Sequence, residues 1–306
     1  MTLTPFKPRL IAWGASGVVY KVSDRIAVKR RVVDCDEGFD FENEIRVYDL
    51  LESNPNVLVF DLHNRIKQHQ TNNRSKSWQV LHVAYLHPRD LIVRWVRQLT
   101  DAVVTLESLR LMDGGIRPPN IFVDSNESVK LIDFGFTAPT GNDDPGIQSS
   151  YSRLLRQEAE PDHWIWGSYT PQAEKRFELG SIFYLLTRDY EPYENEWFGR
   201  DHGPITIELL QAVRFPALDG RNIDSIIREC WNGEYSSMKA LKIDTLQLAQ
   251  DEPLPIPRVV DTREYEATQK ECEQRVKDGI LESTEWQTPR QFMGYDRVSN
   301  TPCEDS

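Results

Sequence analysis

Positive charge, cysteine and long apolar runs are all scarce in this chain. Of its 306 residues, 36 are Lys or Arg against 48 Asp or Glu, a formal net charge of −12. That deficit argues against nucleic acid or an anionic membrane as the main partner, since both attract a basic surface. No apolar stretch approaches the roughly 18–20 residues that span a bilayer. The opening Met1-Thr-Leu-Thr-Pro-Phe-Lys-Pro has no basic segment followed by an apolar one, so it does not read as a secretory leader. Cys35, Cys230, Cys272 and Cys303 are far apart and form no C-x-x-C pair. They suit a reducing compartment, the cytoplasm or the nucleus, better than a zinc site or a disulfide frame. Core material is what the chain does have: it is 39% hydrophobic and 10% aromatic, with eight Trp. That is enough for a large core or two lobes.

Patterning divides the chain into a strand-rich front, a helix-rich body and a tail. Runs at Leu10–Ala12, Val18–Val22 and Ile26–Val33, broken by Gly14, Gly17 and Ser23-Asp24, predict an antiparallel meander. Phe41, Ile45, Tyr48 and Leu51 predict an amphipathic helix between Phe39 and Glu52. Val57–Phe60 and Trp78–Tyr85 read as strands around a polar stretch. The clearest helix is Leu91–Met112, with Leu91, Trp95, Leu99, Ala102, Val103, Leu106 and Leu109 on one stripe. Ile121–Val123 and Val129–Ile132 follow as short strands, and residues 136–170 read as a long polar excursion. Helices are predicted over Phe177–Thr187, Ile205–Val213 and Ile223–Trp231. Beyond Asp251, Pro253, Pro255 and Pro257 open a tail with a charged helix near Arg263–Lys277, striped by Tyr265, Cys272, Val276 and Ile280. The expected organisation is a front lobe over 1–85, a body over 86–250 and a tail over 251–306, with a cleft between the lobes for a ligand.

A few residues in this frame suit phosphate and metal chemistry. Gly14 and Gly17 lie in a turn between two strands, where glycine lets backbone approach phosphate oxygens. Lys29 follows Ile26-Ala27-Val28 on an apolar strand, and Glu44 on the next helix could hold it. Asn120 and Asp133, separated by two short strands, offer oxygen ligands of the kind Mg²⁺ takes beside nucleotide phosphates. Asp133-Phe134-Gly135 directly after Val129-Lys-Leu-Ile is the strongest local signal. A hairpin with a polar turn explains any one of these pieces, but not the ordered series.

That series, Gly turn, Lys, Glu, Asn, Asp-Phe-Gly, resembles the eukaryotic protein kinases over roughly residues 9–245. Its style, including Gly-Ile-Arg-Pro-Pro-Asn, is closest to small, divergent kinase-like proteins of filamentous fungi. The resemblance implies an α+β, bilobal fold with a β-rich front lobe and a mainly helical second lobe. It implies ATP and Mg²⁺ as cofactors. Lys29 takes the place of the phosphate-anchoring lysine and Glu44 that of its helix partner, while Asn120 and Asp133 match the metal ligands. Gly14, Gly17, Val19, Ala27, Lys29 and Phe122 form the implied nucleotide-binding set. A protein partner or protein substrate is implied as well.

Position 115, five before Asn120, departs from the pattern. The family has its catalytic aspartate there, which accepts the substrate hydroxyl proton; this chain has Gly115, with no side chain. A general base contributes about 10²–10⁴-fold, so transfer is expected to be severely impaired. Asp113 and Gly114 replace the preceding His and Arg. The aspartate that supports this loop from the buried helix falls at Lys175, which suggests a charge-reversed Lys175–Asp113 pair. The ion pair that closes the activation segment in the family is missing at both ends, Gln172 and Tyr235. The leading expectation is a pseudokinase acting by binding. The alternatives are an atypical but active serine/threonine kinase and a small-molecule phosphotransferase of related fold.

Overall fold

The computed structural model describes residues 9–14, 17–23, 26–30, 41–51, 73–74, 79–83, 86–112, 116–123, 127–135, 137–140, 154–156, 164–166, 171–248 and 262–279. The first elements in chain order are strands β1 (Arg9–Gly14), β2 (Gly17–Lys21) and β3 (Ala27–Arg30), helix α1 (Phe41–Leu51), and strands β4 (Asn73–Arg74) and β5 (Val80–His82). Helix α2 (Arg89–Ser108) leads to short strands β6 (Leu111–Met112), β7 (Ile121–Val123), β8 (Val129–Leu131), β9 (Ala138–Pro139), β10 (Leu154–Arg156) and β11 (Trp164–Trp166). Helices α3 (Pro171–Arg188), α4 (His202–Gln211), α5 (Asp224–Asn232), α6 (Met238–Gln247) and α7 (Thr262–Lys277) complete the order. The described residues fall into two compact units, 9–30 with 262–279 and 41–51 with 73–248. None of the described helices is long and apolar enough to cross a membrane.

In the first unit, β1, β2 and β3 form an antiparallel sheet in that order. Alternation along the strands puts Leu10, Val18, Tyr20, Val22 and Ile26 into one buried cluster. A small sheet with one apolar face is stabilised by a covering element. Helix α7 supplies it, packing Cys272 against this cluster beside Val28. Thr268, Glu271, Cys272 and Arg275, at helical spacing, are its half-buried face. Val276, expected on the apolar stripe, is instead 52% exposed. The Tyr265 and Ile280 side chains lie outside the described set.

The second unit has a larger core built on α2 and α3. Every member of the expected α2 stripe is buried except Leu109, which caps the helix C-terminus and is exposed. Helix α3 is buried continuously from Arg176 to Arg188, so its apolar residues show no single face. Gly180 permits the close approach of α5: a Cβ there would lie 2.8 Å from Cys230 Cβ. Trp231 fills the contact, stacking on Phe215 at 4.8 Å and donating from Nε1 to Ser181 Oγ at 3.0 Å. Helix α5 ends at Gly233, whose φ of 71° is left-handed, a conformation glycine adopts without strain. Helix α6, absent from the sequence reading, starts at Ser237, whose hydroxyl accepts from the Ala240 N–H at 3.2 Å.

One further expectation changes, and the strand expected within Trp78–Tyr85 is found at Val80–His82. Within the polar excursion, β10 and β11 pair as an antiparallel hairpin. Strand β5 pairs with β4, and the Val80 N–H donates to the Glu194 carbonyl at 2.8 Å. Residues 57–60 lie outside the described set, as do Asp113, Gly114, Gly115 and the Lys175 side chain, and with them the expected Lys175–Asp113 pair.

Candidate functional site

The β7–β8 hairpin carries the two expected metal ligands to one end. Pro118 and Pro119 open a single 3₁₀ turn, their fixed φ suiting it, and Asn120 closes it. The Asn120 N–H donates to the Arg117 carbonyl at 2.9 Å, and the Ile132 N–H donates to the Asn120 carbonyl at 2.9 Å. Asn120 and Asp133 therefore leave the hairpin as neighbours. Helix α2 fixes the opposite end. Trp95 Nε1 donates to the Glu127 carbonyl at 2.8 Å, and buried Gln98 accepts from the Val129 N–H at 2.9 Å. Phe122, in β7, is buried opposite Lys130.

Asp133 has a left-handed backbone, φ 66°. Such a conformation is disfavoured for a non-glycine residue and marks a place where the surroundings dictate geometry. Phe134 follows it fully into the core. The carboxylates of Asp133 and Glu44 converge beside Gly135: a Cβ built there would lie 3.7 Å from Asp133 Oδ1 and 3.9 Å from Glu44 Oε2.

Helix α1 is attached to this segment by polar groups. Asn43 Nδ2 donates to the Thr137 carbonyl at 2.7 Å, and the Asp133 N–H donates to the Tyr48 hydroxyl at 3.3 Å. These contacts rotate the helix relative to the sequence reading. Glu44, Val47 and Leu51 are buried, whereas Ile45 is 57% exposed. The apolar period alone favours Ile45; the pull of Asn43, Glu44 and Tyr48 toward Asp133–Thr137 turns it outward.

A supporting residue escaped the sequence reading. Fully buried Glu178, on α3, accepts from the Ile116 N–H at 3.2 Å and so ties the loop before Asn120 to the central helix. It lies three residues beyond Lys175, on the same side of the helix, and that spacing was the available signal. Nearby, buried Arg176 donates to the Tyr235 carbonyl. Burial pulls the Arg176 guanidinium down from its usual range, against the opposing charge of Glu107.

The remaining expected residues are in the first unit. Val19 and Lys29 are directly paired across β2 and β3, as are Lys21 and Ala27. All four occupy the sheet face opposite the buried cluster, half-buried. Gly14 and Gly17 pair where β1 turns into β2. The structure thus puts Val19, Ala27 and Lys29 on one surface, and Glu44, Asn120 and Asp133 around one segment of the second unit.

The second-unit donors fit Mg²⁺ held jointly with phosphates. They are hard oxygens, and Mg²⁺ commonly takes only one or two carboxylates, completing its shell with water and phosphate. Among the described residues no cluster of three His, Cys, Asp or Glu forms a self-sufficient metal cage.

No protein-family model matches the chain. A probable serine/threonine-protein kinase of Dictyostelium discoideum is 27% identical to it over 115 residues. That match covers 37% of this chain, and the chain spans 12% of the relative's length. The likeness is weak and partial, and it points to a kinase-like relationship.

Proposed function

We propose that this chain is an α+β, bilobal, protein-kinase-like domain that binds ATP with Mg²⁺ and acts by binding or regulation, with phosphotransfer impaired. The observation that carries this reading is the end of the β7–β8 hairpin. There Asn120 and Asp133 stand side by side, and Asp133 is in a left-handed conformation that turns its carboxylate toward Gly135. In this reading Asn120 and Asp133 hold Mg²⁺, which when bound neutralises phosphate charge. Lys29 anchors phosphate oxygens, Val19 and Ala27 cover the adenine, and Phe122 lines the nucleotide site. Gly14 and Gly17 let backbone approach the phosphates. Gly115 offers no group to take a proton from a hydroxyl. The partner would be another protein, recognised by a kinase-like surface rather than phosphorylated at speed.

A second reading, an atypical active serine/threonine kinase, is favoured by the Dictyostelium relative. It also has a chemical basis, because phosphoryl transfer depends mainly on positioning and electrostatics. One experiment separates the two. Purified chain is given ATP with Mg²⁺, and both the thermal shift and γ-phosphate transfer to a protein or to itself are read. A shift without transfer supports the binding role. Transfer that Asp133→Asn abolishes supports the active kinase instead, and the absence of both rejects nucleotide binding altogether.

A further inference from the structure

We propose that Tyr48 is a positioning residue for the Asp133 carboxylate, an inference that rests on the Mg²⁺-nucleotide reading above. Asp133 lies between two anchors. Before it, the Ile132 N–H is held by the Asn120 carbonyl at 2.9 Å; after it, Phe134 is fully buried. Between those anchors the chain must pass through a left-handed residue, φ 66° at Asp133. Rotation of the Ile132–Asp133 peptide is the motion that would relax this conformation and swing the carboxylate away. The Tyr48 hydroxyl accepts the N–H of that same peptide, at 3.3 Å, and opposes the rotation.

The rest of α1 makes the hydroxyl a fixed point. The Tyr48 ring meets Phe134 edge-on, with centroids 5.1 Å apart and planes at 79°. Val47 and Leu51 are buried on either side along the helix, and Asn43 holds the Thr137 carbonyl at 2.7 Å. Packing against Phe134 alone calls for any apolar side chain at position 48. The hydroxyl is the part of Tyr48 that packing does not explain, and it accepts from the Asp133 N–H. The inference concerns preorganisation: a carboxylate already aimed binds its cation without first ordering the backbone.

The test uses the full chain and its Tyr48→Phe variant, which keeps the ring and removes the oxygen. ATP affinity is measured by calorimetry with Mg²⁺ and with the metal chelated, so that the increment due to Mg²⁺ is read separately. The expected result is that Tyr48→Phe shrinks this increment by roughly three- to tenfold, the range of one lost hydrogen bond. Metal-free ATP affinity should stay within about twofold, and deuterium uptake by a peptide spanning 131–135 should quicken. An unchanged increment overturns the proposal, and so does an equal loss with and without metal, which would mark a structural role only. Tyr48→Met, apolar and flexible, repeats the reading should the Phe variant be unstable. If the wild-type chain shows no Mg²⁺ increment, the nucleotide reading itself falls and takes this inference with it.

Discussion

The two compact units bury their apolar residues in different ways. The second unit surrounds α3 with α2 and α5, and its core runs continuously from Val47 to Leu241. Among the described residues, the first unit has a cluster of five buried ones, Leu10, Val18, Tyr20, Val22 and Ile26, packed against by a helix distant in sequence. Both units carry candidate site residues. In the second, Asn120, Phe122 and Asp133 stand on or beside a hairpin fixed by buried side chains of α2, and Glu44 reaches them from α1. In the first, Lys29 and Val19 stand on a small sheet against which a residue distant in sequence, Cys272, packs. A large core can therefore hold a strained residue such as Asp133, while a small one supplies a surface and little more.

The strongest test of the larger core is Arg188→Met. Arg188 donates to Asp224 at 2.8 Å and to Asp219 at 2.9 Å, and its guanidinium lies 4.5 Å from the centre of the Tyr184 ring. Asp219 is half exposed and adds little. Asp224 is buried, so the substitution strands a carboxylate at a cost of about 3–5 kcal/mol. Burial pushes the Asp224 carboxyl up, but the Arg188 hydrogen bond and charge, with the Arg221 N–H and Asp219, more than offset it. The result is a carboxyl held below the usual range. A depressed carboxyl contributes stability above its ordinary pKa and loses it as pH falls through the folded value. The gap between wild type and variant, measured by urea unfolding, should therefore narrow on acidification. It narrows first as the variant's stranded Asp224 takes up a proton and then, below about pH 4, as the wild-type pair is lost. A gap that stays constant down to pH 2 would show that the ion pair is not its source.

The larger core was also the more legible one. The stripe Leu91, Trp95, Leu99, Ala102, Val103 and Leu106 recurs at helical spacing over several turns, and packing followed it. Helix α6 was missed because its buried residues, Met238, Leu241 and Thr245, are too few to make a stripe; Ser237 was the readable cue. Helix α1 follows its expected stripe at Tyr48 and Leu51 but not at Ile45, which is exposed while Glu44 and Val47 are buried. At the candidate site, Asn120, Asp133 and Glu44 are the residues that the motif resemblance names, and the structure brings them around one segment. Glu178 and the roles of Tyr48 and Asn43 were not legible, because each depends on a partner 62 to 94 residues away along the chain. The α7 contact with the front sheet was illegible for the same reason: Cys272 as a half-buried apolar residue says nothing about which strands it covers.

Cys272→Asp probes that long-range contact. Burial pushes the Cys272 thiol up from its usual pKa, with help from Glu271 and Glu273, so the neutral form packs on the sheet. A half-buried carboxylate in its place should cost about 1–2 kcal/mol. The loss should appear as faster deuterium uptake in peptides covering 9–30 and 262–279, with the α2 and α3 peptides unchanged. Equal acceleration throughout the chain would break the comparison and show a single cooperative structure.

The finest contrast separates two glycines of the second unit. At Gly180 an added Cβ would stand 2.8 Å from Cys230 Cβ, so alanine there must displace α5 and should cost about 1–3 kcal/mol. At Gly135 the nearest atoms among the described residues are carboxylate oxygens at 3.7 and 3.9 Å, ordinary contact distances. Gly135→Ala should leave stability within about 0.5 kcal/mol. The methyl group would still stand beside the Asp133 and Glu44 carboxylates and take hydration from their charged forms, a partial desolvation. Mg²⁺-dependent ATP binding should weaken by a factor on the order of two to five, a fraction of a full desolvation cost. Calorimetry on the two variants reads both quantities. Gly180→Ala should lower the unfolding midpoint and leave binding intact below it, while Gly135→Ala should do the reverse. If both variants lost stability alike, Gly135 would belong to the core rather than to the site, and the convergence of carboxylates beside it would be a packing accident.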